Sequence, residues 1–368
     1  MKSNDWLSTL IKHGLVAATP SENARRKSAF VVQDAWPAVD VPDAFIDLSS
    51  MAVIDVYGAD ARDFLQGQFC NNIAPVSIDL GSLNGYCNPK GRLLALPVVL
   101  GLPEGYRLLL PVEMIEVLLN RLRMFVMRAD VQFEPRNDLI CSAIQMDGKA
   151  LPAQLSDRLP ALPSTRMQIS TNDTWQVLRW HDWPAQPAIA RWLCIGEVPA
   201  QTDLIQAMAD SDEFLLANEN LWRLGNIQAG LPEITEATYE SFVPQMVNLQ
   251  QLDALSFSKG CYPGQEIVAR MQYLGKLKRH MLHFSMKAID AGAPDAGALL
   301  VTDSDAAAGQ VVSAVAHGEF VELLAVVKTN VNIEALSLGG QPVELRELPY
   351  SLTPPESDSS SDSGAAGA

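Results

Sequence analysis

The chain has 368 residues, 48% of them hydrophobic, with a formal net charge of −16 and five cysteines. Its length and apolar content support two or three domains with a large core, and its acidic balance weighs against a protein that holds RNA or DNA over its whole surface. The cysteines at 70, 87, 141, 194 and 261 lack close pairing, which argues against a disulfide framework or zinc knuckle and predicts a reduced, cytoplasmic protein.

In chain order, residues 1–44 mix a short amphipathic stretch (Trp6, Leu7, Leu10, Ile11) with proline and charge, and are expected to be peripheral. Leu7 to Val16 is too short for a secretory signal and is interrupted by Lys12 and His13. No apolar run approaches the roughly 20 residues that cross a bilayer, so no membrane partner is expected. Met51 to Tyr57 reads as a strand and Asp60 to Gln66 as a short helix. Arg92 to Leu100 and Tyr106 to Leu110 read as paired strands around the turn Gly101-Leu102-Pro103-Glu104-Gly105. Pro111 is placed to open a helix through Ile115, Leu118, Leu119, Leu122 and Phe125, and Leu139 to Gln145 is a further strand. Residues 147–174 read as loop, Trp175 to Trp180 and Ile189 to Ile195 as strands. Helices are expected near 201–209 and 214–228, the second stopped by Gly230 and Pro232. Met281 to Met286, Gln310 to Ala316 and Phe320 to Lys328 read as strands of a separate β domain. The Ser-, Asp-, Gly- and Ala-rich end, 351–368, reads as a disordered tail.

Reactive residue types concentrate in Lys259-Gly260-Cys261-Tyr262-Pro263-Gly264-Gln265-Glu266. The apolar spacing that follows predicts a helix beginning near Gly264. Cys261 would stand just ahead of its N-terminus, with Lys259 two residues away, and both would favour the thiolate. Gln265 and Glu266 would fix the loop. The competing reading is a tight loop whose cysteine is buried packing. Arg270, Lys276, Lys278, Arg279 and His280 form a basic cluster beyond it, equally suited to a solvated turn or to an anionic ligand. The five histidines show no metal-ligand spacing. No Gly-x-Gly-x-x-Gly or P-loop pattern occurs.

Lys-Gly-Cys-Tyr-x-Gly-Gln-Glu resembles the signature of the YgfZ-type folate-binding proteins, relatives of the aminomethyltransferase (T-protein) of the glycine cleavage system. Collinear stretches agree: Val56-Tyr57-Gly58-Ala59-Asp60-Ala61 with Phe64-Leu65-Gln66-Gly67-Gln68, and Gly85-Tyr86 with Pro89-Lys90-Gly91-Arg92. Trp222-Arg223-Leu224, Ala229-Gly230-Leu231-Pro232, Phe242-Val243-Pro244-Gln245 and Asn248-Leu249-Gln250 extend the match. The resemblance implies an α+β protein with a three-domain, ring-like aminomethyltransferase-type fold. A first folate-binding module would comprise 45–136 with 215–275, a second module 137–214, and a C-terminal β-barrel 276–350.

The resemblance further implies a tetrahydrofolate-binding accessory protein. It would support iron–sulfur cluster enzymes transiently, including those that methylthiolate tRNA, by cluster maintenance or repair. Cys261, Lys259 and Glu266 are its candidate reactive residues; Trp222, Gln228, Tyr262, Gly264, Gln265 and Arg270 are the candidate folate contacts, and no metal site is expected. Trp222 matches a position that lines the folate pocket in the family, although an indole on this helix fits core packing equally well. The T-protein pattern near here resembles Arg-x-Glu-Ala-Gly, whereas this chain has Gln228-Ala229-Gly230; Met51 stands where some relatives offer a second tryptophan. The aminomethyltransferases carry paired acids after the Gly-Tyr turn, one of which assists methylene transfer. Lys90-Gly91-Arg92-Leu93-Leu94-Ala95-Leu96 has none, so an accessory role is expected over glycine cleavage. A folate-dependent one-carbon transferase or demethylase acting on a small amine is the alternative. Stable direct tRNA binding is a third reading, which the net charge disfavours.

Overall fold

The computed structural model describes residues 4–13, 16–17, 30–31, 43–147, 151–211, 213–273, 275, 277–288 and 292–352. Helix α1 (Asn4–Lys12) and the strand pair β1 (Val16–Ala17) and β2 (Phe30–Val31) come first. β3 (Ala44–Asp47), β4 (Met51–Tyr57), α2 (Ala61–Gln68), β5 (Ser82–Leu83), β6 (Tyr86–Cys87) and β7 (Leu93–Ala95) follow. The next stretch holds β8 (Val98–Leu102), β9 (Gly105–Pro111), α3 (Ile115–Val126) and β10 (Gln132–Pro135). Beyond it lie β11 (Leu139–Asp147), α4 (Ala153–Ser156), β12 (Ile169–Thr171), β13 (Trp175–Arg179) and β14 (Ile189–Glu197). They lead to α5 (Val198–Ala209), β15 (Leu215–Ala217), α6 (Glu219–Gln228) and α7 (Gln265–Tyr273). The last strands are β16 (Arg279–Lys287), β17 (Leu299–Thr302), β18 (Asp305–His317), β19 (Phe320–Lys328), β20 (Ser337–Leu338), β21 (Gln341–Pro342) and β22 (Glu344–Arg346).

Alternating and continuous apolar runs give three large sheets. The first is antiparallel, in the order β10-β4-β9-β8-β5. The second runs β12-β13-β14-β11-β3-β15, with only β15 and β3 parallel. The third, β21-β20-β17-β18-β19-β16-β22, curls into a nearly closed barrel. A bulge between Val311 and Ser313 in β18 bends its wall. One apolar core joins all three sheets: Val53 from the first, Leu193 from the second and Val312 from the third share it with Trp222 and Leu224 of α6.

Several elements differ from the sequence reading. The stretch read as helix from 214 begins as β15, because Leu215–Ala217 finds an open edge on Ala44–Asp47. Both segments, expected in the first module, therefore pair within the second sheet. The strand expected over 92–100 splits into β7 and β8 at Pro97, which has no N–H to donate. Pro111 ends β9, and a single 3-10 turn at Val112–Met114 precedes α3. The 147–174 loop contains α4 and β12. The N-terminal stretch is not merely peripheral, since Trp6 and Leu10 are buried against the second sheet and the Trp6 indole N–H donates to Asp47 at 3.2 Å. Of the expected tail, 353–368 lies outside the described residues, as does Lys276.

Candidate functional site

Helix α6 positions the first candidate residue. Asn218 caps it, its side chain accepting from the Asn220 N–H at 3.0 Å. The helix buries Leu221, Trp222, Leu224, Gly225 and Ile227. Gly225 is required by its neighbour, because a Cβ there would stand 2.7 Å from the guanidinium carbon of Arg191. Arg191 is fully buried and lies 4.0 Å from the centre of the Trp222 ring and 5.6 Å from that of Trp183. Its Nη2 donates to the Trp222 carbonyl at 2.7 Å and to Asn226 Oδ1 at 3.0 Å, while Nε and Nη1 have no hydrogen-bond partner among the described residues. Burial, then Arg179, pull its pKa down to about 9, against the pull of Asp182, so the group remains a cation at neutral pH.

A cleft opens in front of this support. Met51, Leu96, Leu109, Trp180 and Leu193 give it apolar walls, Trp222 and Asn226 line it from α6, and Ser313 reaches it from the barrel. The water-sized space inside is about 90 Å³, within a wider opening of about 820 Å³ that includes solvent. Trp180 and Trp222 stack at a tilt, with ring centres 5.6 Å apart. Trp222 is only 6% exposed, so its indole serves as core and as cleft wall together. Glu219 stands at the rim, accepting from Ser50 Oγ on one oxygen and from Arg223 Nη2 at 2.7 Å on the other.

Gln228 is turned elsewhere: its Oε1 accepts from the Trp183 indole at 2.6 Å, and it does not line the cleft. Lys259, Cys261, Tyr262, Gly264, Gln265, Glu266 and Arg270 do not line it either. They gather in a second place. Gly264, at φ +83°, lies against the turn Asn88–Arg92, where Asn88 Oδ1 accepts from the N–H groups of Lys90 at 2.9 Å and Arg92 at 3.0 Å. Gln265 then opens α7, and Gln245 holds that helix by donating to the Val268 carbonyl at 2.7 Å.

Within the loop, Lys259 is directed away from the role expected of it. Its ammonium donates to the carbonyls of Gln66, Phe69 (2.5 Å) and Asn71 (3.2 Å), at and just beyond the C-terminal end of α2, where a positive charge is favoured. Burial strips water from the ammonium and pulls its pKa down to about 8, opposed by Cys70. The carbonyls replace the lost water, so the lysine clamps the loop onto the first sheet's helix. Tyr262 is buried beneath the lysine, its ring centre 5.3 Å from Nζ, and burial raises its pKa. Cys261 is exposed, whereas Cys70, Cys87, Cys141 and Cys194 are buried. Glu266 and Arg270 are exposed beyond it on α7. Among the described residues, no group of three His, Cys, Asp or Glu is placed to hold a metal ion. No helix among them is long and apolar enough to cross a membrane.

The sequence reading missed Arg191, Trp180, Trp183 and Asn226. Four tryptophans between 175 and 192 are a signal of an aromatic cluster, but their spacing does not tell which face of a sheet they share.

Three sheets around one core, with a tryptophan-walled cleft beneath α6, define a protein of the aminomethyltransferase fold. The aminomethyltransferase T of the glycine cleavage system from Bartonella henselae superposes with a TM-score of 0.67 over 95% of this chain and 97% of that one, at 15% identity. In sequence, the chain is similar to proteins named tRNA-modifying protein YgfZ. The one from Klebsiella pneumoniae is 28% identical over 320 residues, 85% of this chain and 94% of that protein. Those from Yersinia pseudotuberculosis and Photobacterium profundum are each 29% identical, over 68% and 70% of this chain and 73% of each relative. No protein-family model matches the chain.

Proposed function

We propose that this chain binds a reduced folate, tetrahydrofolate or a derivative, in the cleft beside Trp222 and serves tRNA modification as an accessory protein. The carrying observation is the rigid aromatic wall: Trp222 is gripped from behind by the buried Arg191 and faces a narrow apolar space. A flat pterin suits such walls. The polar atoms also fit, because Asn226 lines the space and Ser313 Oγ is buried there without a hydrogen-bond partner among the described residues. An unsatisfied buried hydroxyl is costly unless a ligand or water completes it.

Methylene transfer is not the proposed reaction. The stretch that carries acids in the aminomethyltransferases is buried hydrocarbon here, with Leu94 and Ala95 in the core and Leu96 on the cleft wall. Glu219 and Glu233 do line the cleft, but from α6 and the segment after it, and both Glu219 oxygens are engaged. Cys261, exposed on a loop outside the cleft, is assigned to contact with client iron–sulfur enzymes. A single thiolate can touch a cluster transiently, whereas permanent ligation takes several.

Calorimetry with tetrahydrofolate tests the folate reading. Trp222→Ala removes a stacking face worth about 0.5–1.5 kcal/mol beyond its area, so the loss of stacking alone should lower affinity about two- to twelvefold. Absence of heat at millimolar ligand, with the native protein folded, sinks the proposal.

A further inference from the structure

The barrel reaches the cleft through one side chain. Among the described residues that line this space, only Ser313 comes from the barrel. Its aim depends on the bulge in β18. Val311 pairs with Ala325 and Ser313 with Leu324, so Val312 is the extra residue. Val311 and Ala325 point into the barrel core. Strict alternation along the strand would turn residue 313 to that same side. The extra residue shifts the phase by one, and Ser313 instead shares the outer face with Val312, Val315 and Leu324, which belong to the core around α6.

Those neighbours are hydrocarbon. Ser313 is 5% exposed, and its Oγ is buried with no hydrogen-bond partner among the described residues. An alanine would pack on that face without the penalty of a stranded hydroxyl. The bulge therefore aims into the space beside Trp222 a group that the protein itself leaves unsatisfied.

We infer that Ser313 bonds the bound ligand, which makes the folate a bridge between the barrel and the two α+β modules, so that the barrel senses whether the cleft is loaded. The inference rests on the folate reading proposed above. The other walls come from Met51 and Leu109 of the first sheet, Leu193 of the second and Trp222 of α6. A ligand held among them touches both modules, and the serine adds the third body. Pterins and their amide tails carry both N–H donors and carbonyl acceptors, and a serine hydroxyl pairs with either. The hydroxyl destabilises the empty protein and becomes a bond in the loaded one, so loading tightens the seat of the barrel as well as the cleft.

The Ser313→Ala variant of the full chain separates the two states. Without ligand, its urea midpoint should equal or exceed that of the parent. With tetrahydrofolate, calorimetry should show affinity lowered about two- to twelvefold, the worth of one hydrogen bond. Hydrogen exchange compared at equal saturation should show the β18 amides slowed by ligand in the parent and slowed less in the variant. A ligand-free midpoint below the parent's would place the bond of this hydroxyl within the fold and overturns the inference. Unchanged affinity in the variant overturns it too, as does a parent whose β18 exchange ignores the ligand; each of these results leaves folate binding intact. Absence of heat with the parent refutes the folate reading, and the inference falls with it.

Discussion

The two glycines of the motif loop should respond very differently to one added methyl group. At Gly264 the backbone is left-handed, φ +83°, and an alanine Cβ would press on the Asn88 carbonyl oxygen and stand 2.7 Å from both N and Cα of Gly91. Those atoms belong to a turn tied by Asn88 N–H to the Arg92 carbonyl and by Gly91 N–H to the Asn88 carbonyl, both at 2.9 Å, so they yield reluctantly. A left-handed alanine costs about 1–2 kcal/mol, and overpacking adds about 1–3 kcal/mol. Gly264→Ala should therefore destabilise the protein by about 2–5 kcal/mol, the sum of those ranges. At Gly260 the added Cβ meets nothing within 4 Å, and Gly260→Ala should stay within about 0.5 kcal/mol of the parent. Urea unfolding followed by tryptophan fluorescence measures both. Equal midpoints for the two variants would show that the loop is not held against the Asn88–Arg92 turn as described.

Further tests bear on separate parts of the molecule. His181 is buried, and burial, then Arg166, Arg191 and Arg179, hold its pKa down at about 3. The unfolded chain takes up a proton at about 6.5 that the folded chain refuses. Its contribution is thus complete above that value and declines as pH falls toward 3, by at most about 1.4 kcal/mol per pH unit. Unfolding of His181→Gln across pH 7 to 4 should show a flatter acid limb, and an unchanged slope contradicts this account. Lys259→Met should cost about 2–3 kcal/mol, since charge-assisted bonds disappear and buried carbonyls lose their donor; denaturant midpoints that match the parent would show the clamp to be idle. With a reconstituted aminomethyl-lipoyl carrier, methylene transfer should not exceed the rate without protein, and any excess restores the transferase reading. Cys261→Ser should leave folate affinity unchanged but fail to support iron–sulfur enzymes in a deletion strain; full complementation refutes a role for the thiol.

Elements whose apolar period is set locally were legible from sequence: β4, β11, β14, β19 and α7 lie close to where their patterns place them. Elements defined by a distant partner were not. Phe214-Leu215-Leu216-Ala217 is an apolar run compatible with helix or strand, and Ala44–Asp47 decides for strand from far away in the chain. The site divides in the same way. Trp222 was legible through the motif around it, whereas Arg191 sits in an apolar strand whose pattern gives no sign that a guanidinium points inward. Lys259 shows the limit of adjacency, for two residues of separation suggested a partner for Cys261 while three carbonyls near 70 claim its charge.

The route of the chain through the first two sheets has a consequence for dissection. β3 belongs to the second sheet, β4 to the first, and only Leu48-Ser49-Ser50 separates them. Cleavage between β10 and β11 would leave the first sheet's strands on one fragment together with an interior strand of the second, β3. Neither fragment would be self-sufficient, but the two should reassociate, β3 slotting back between β11 and β15 as a noncovalent complement. Severing the chain between α7 and β16 instead keeps every strand of the barrel on one piece, with the core that Val312 shares with Val53 and Leu193 left to hold the two pieces together. Protein made as two co-expressed pieces split there is the form in which the barrel can be exchanged or labelled independently.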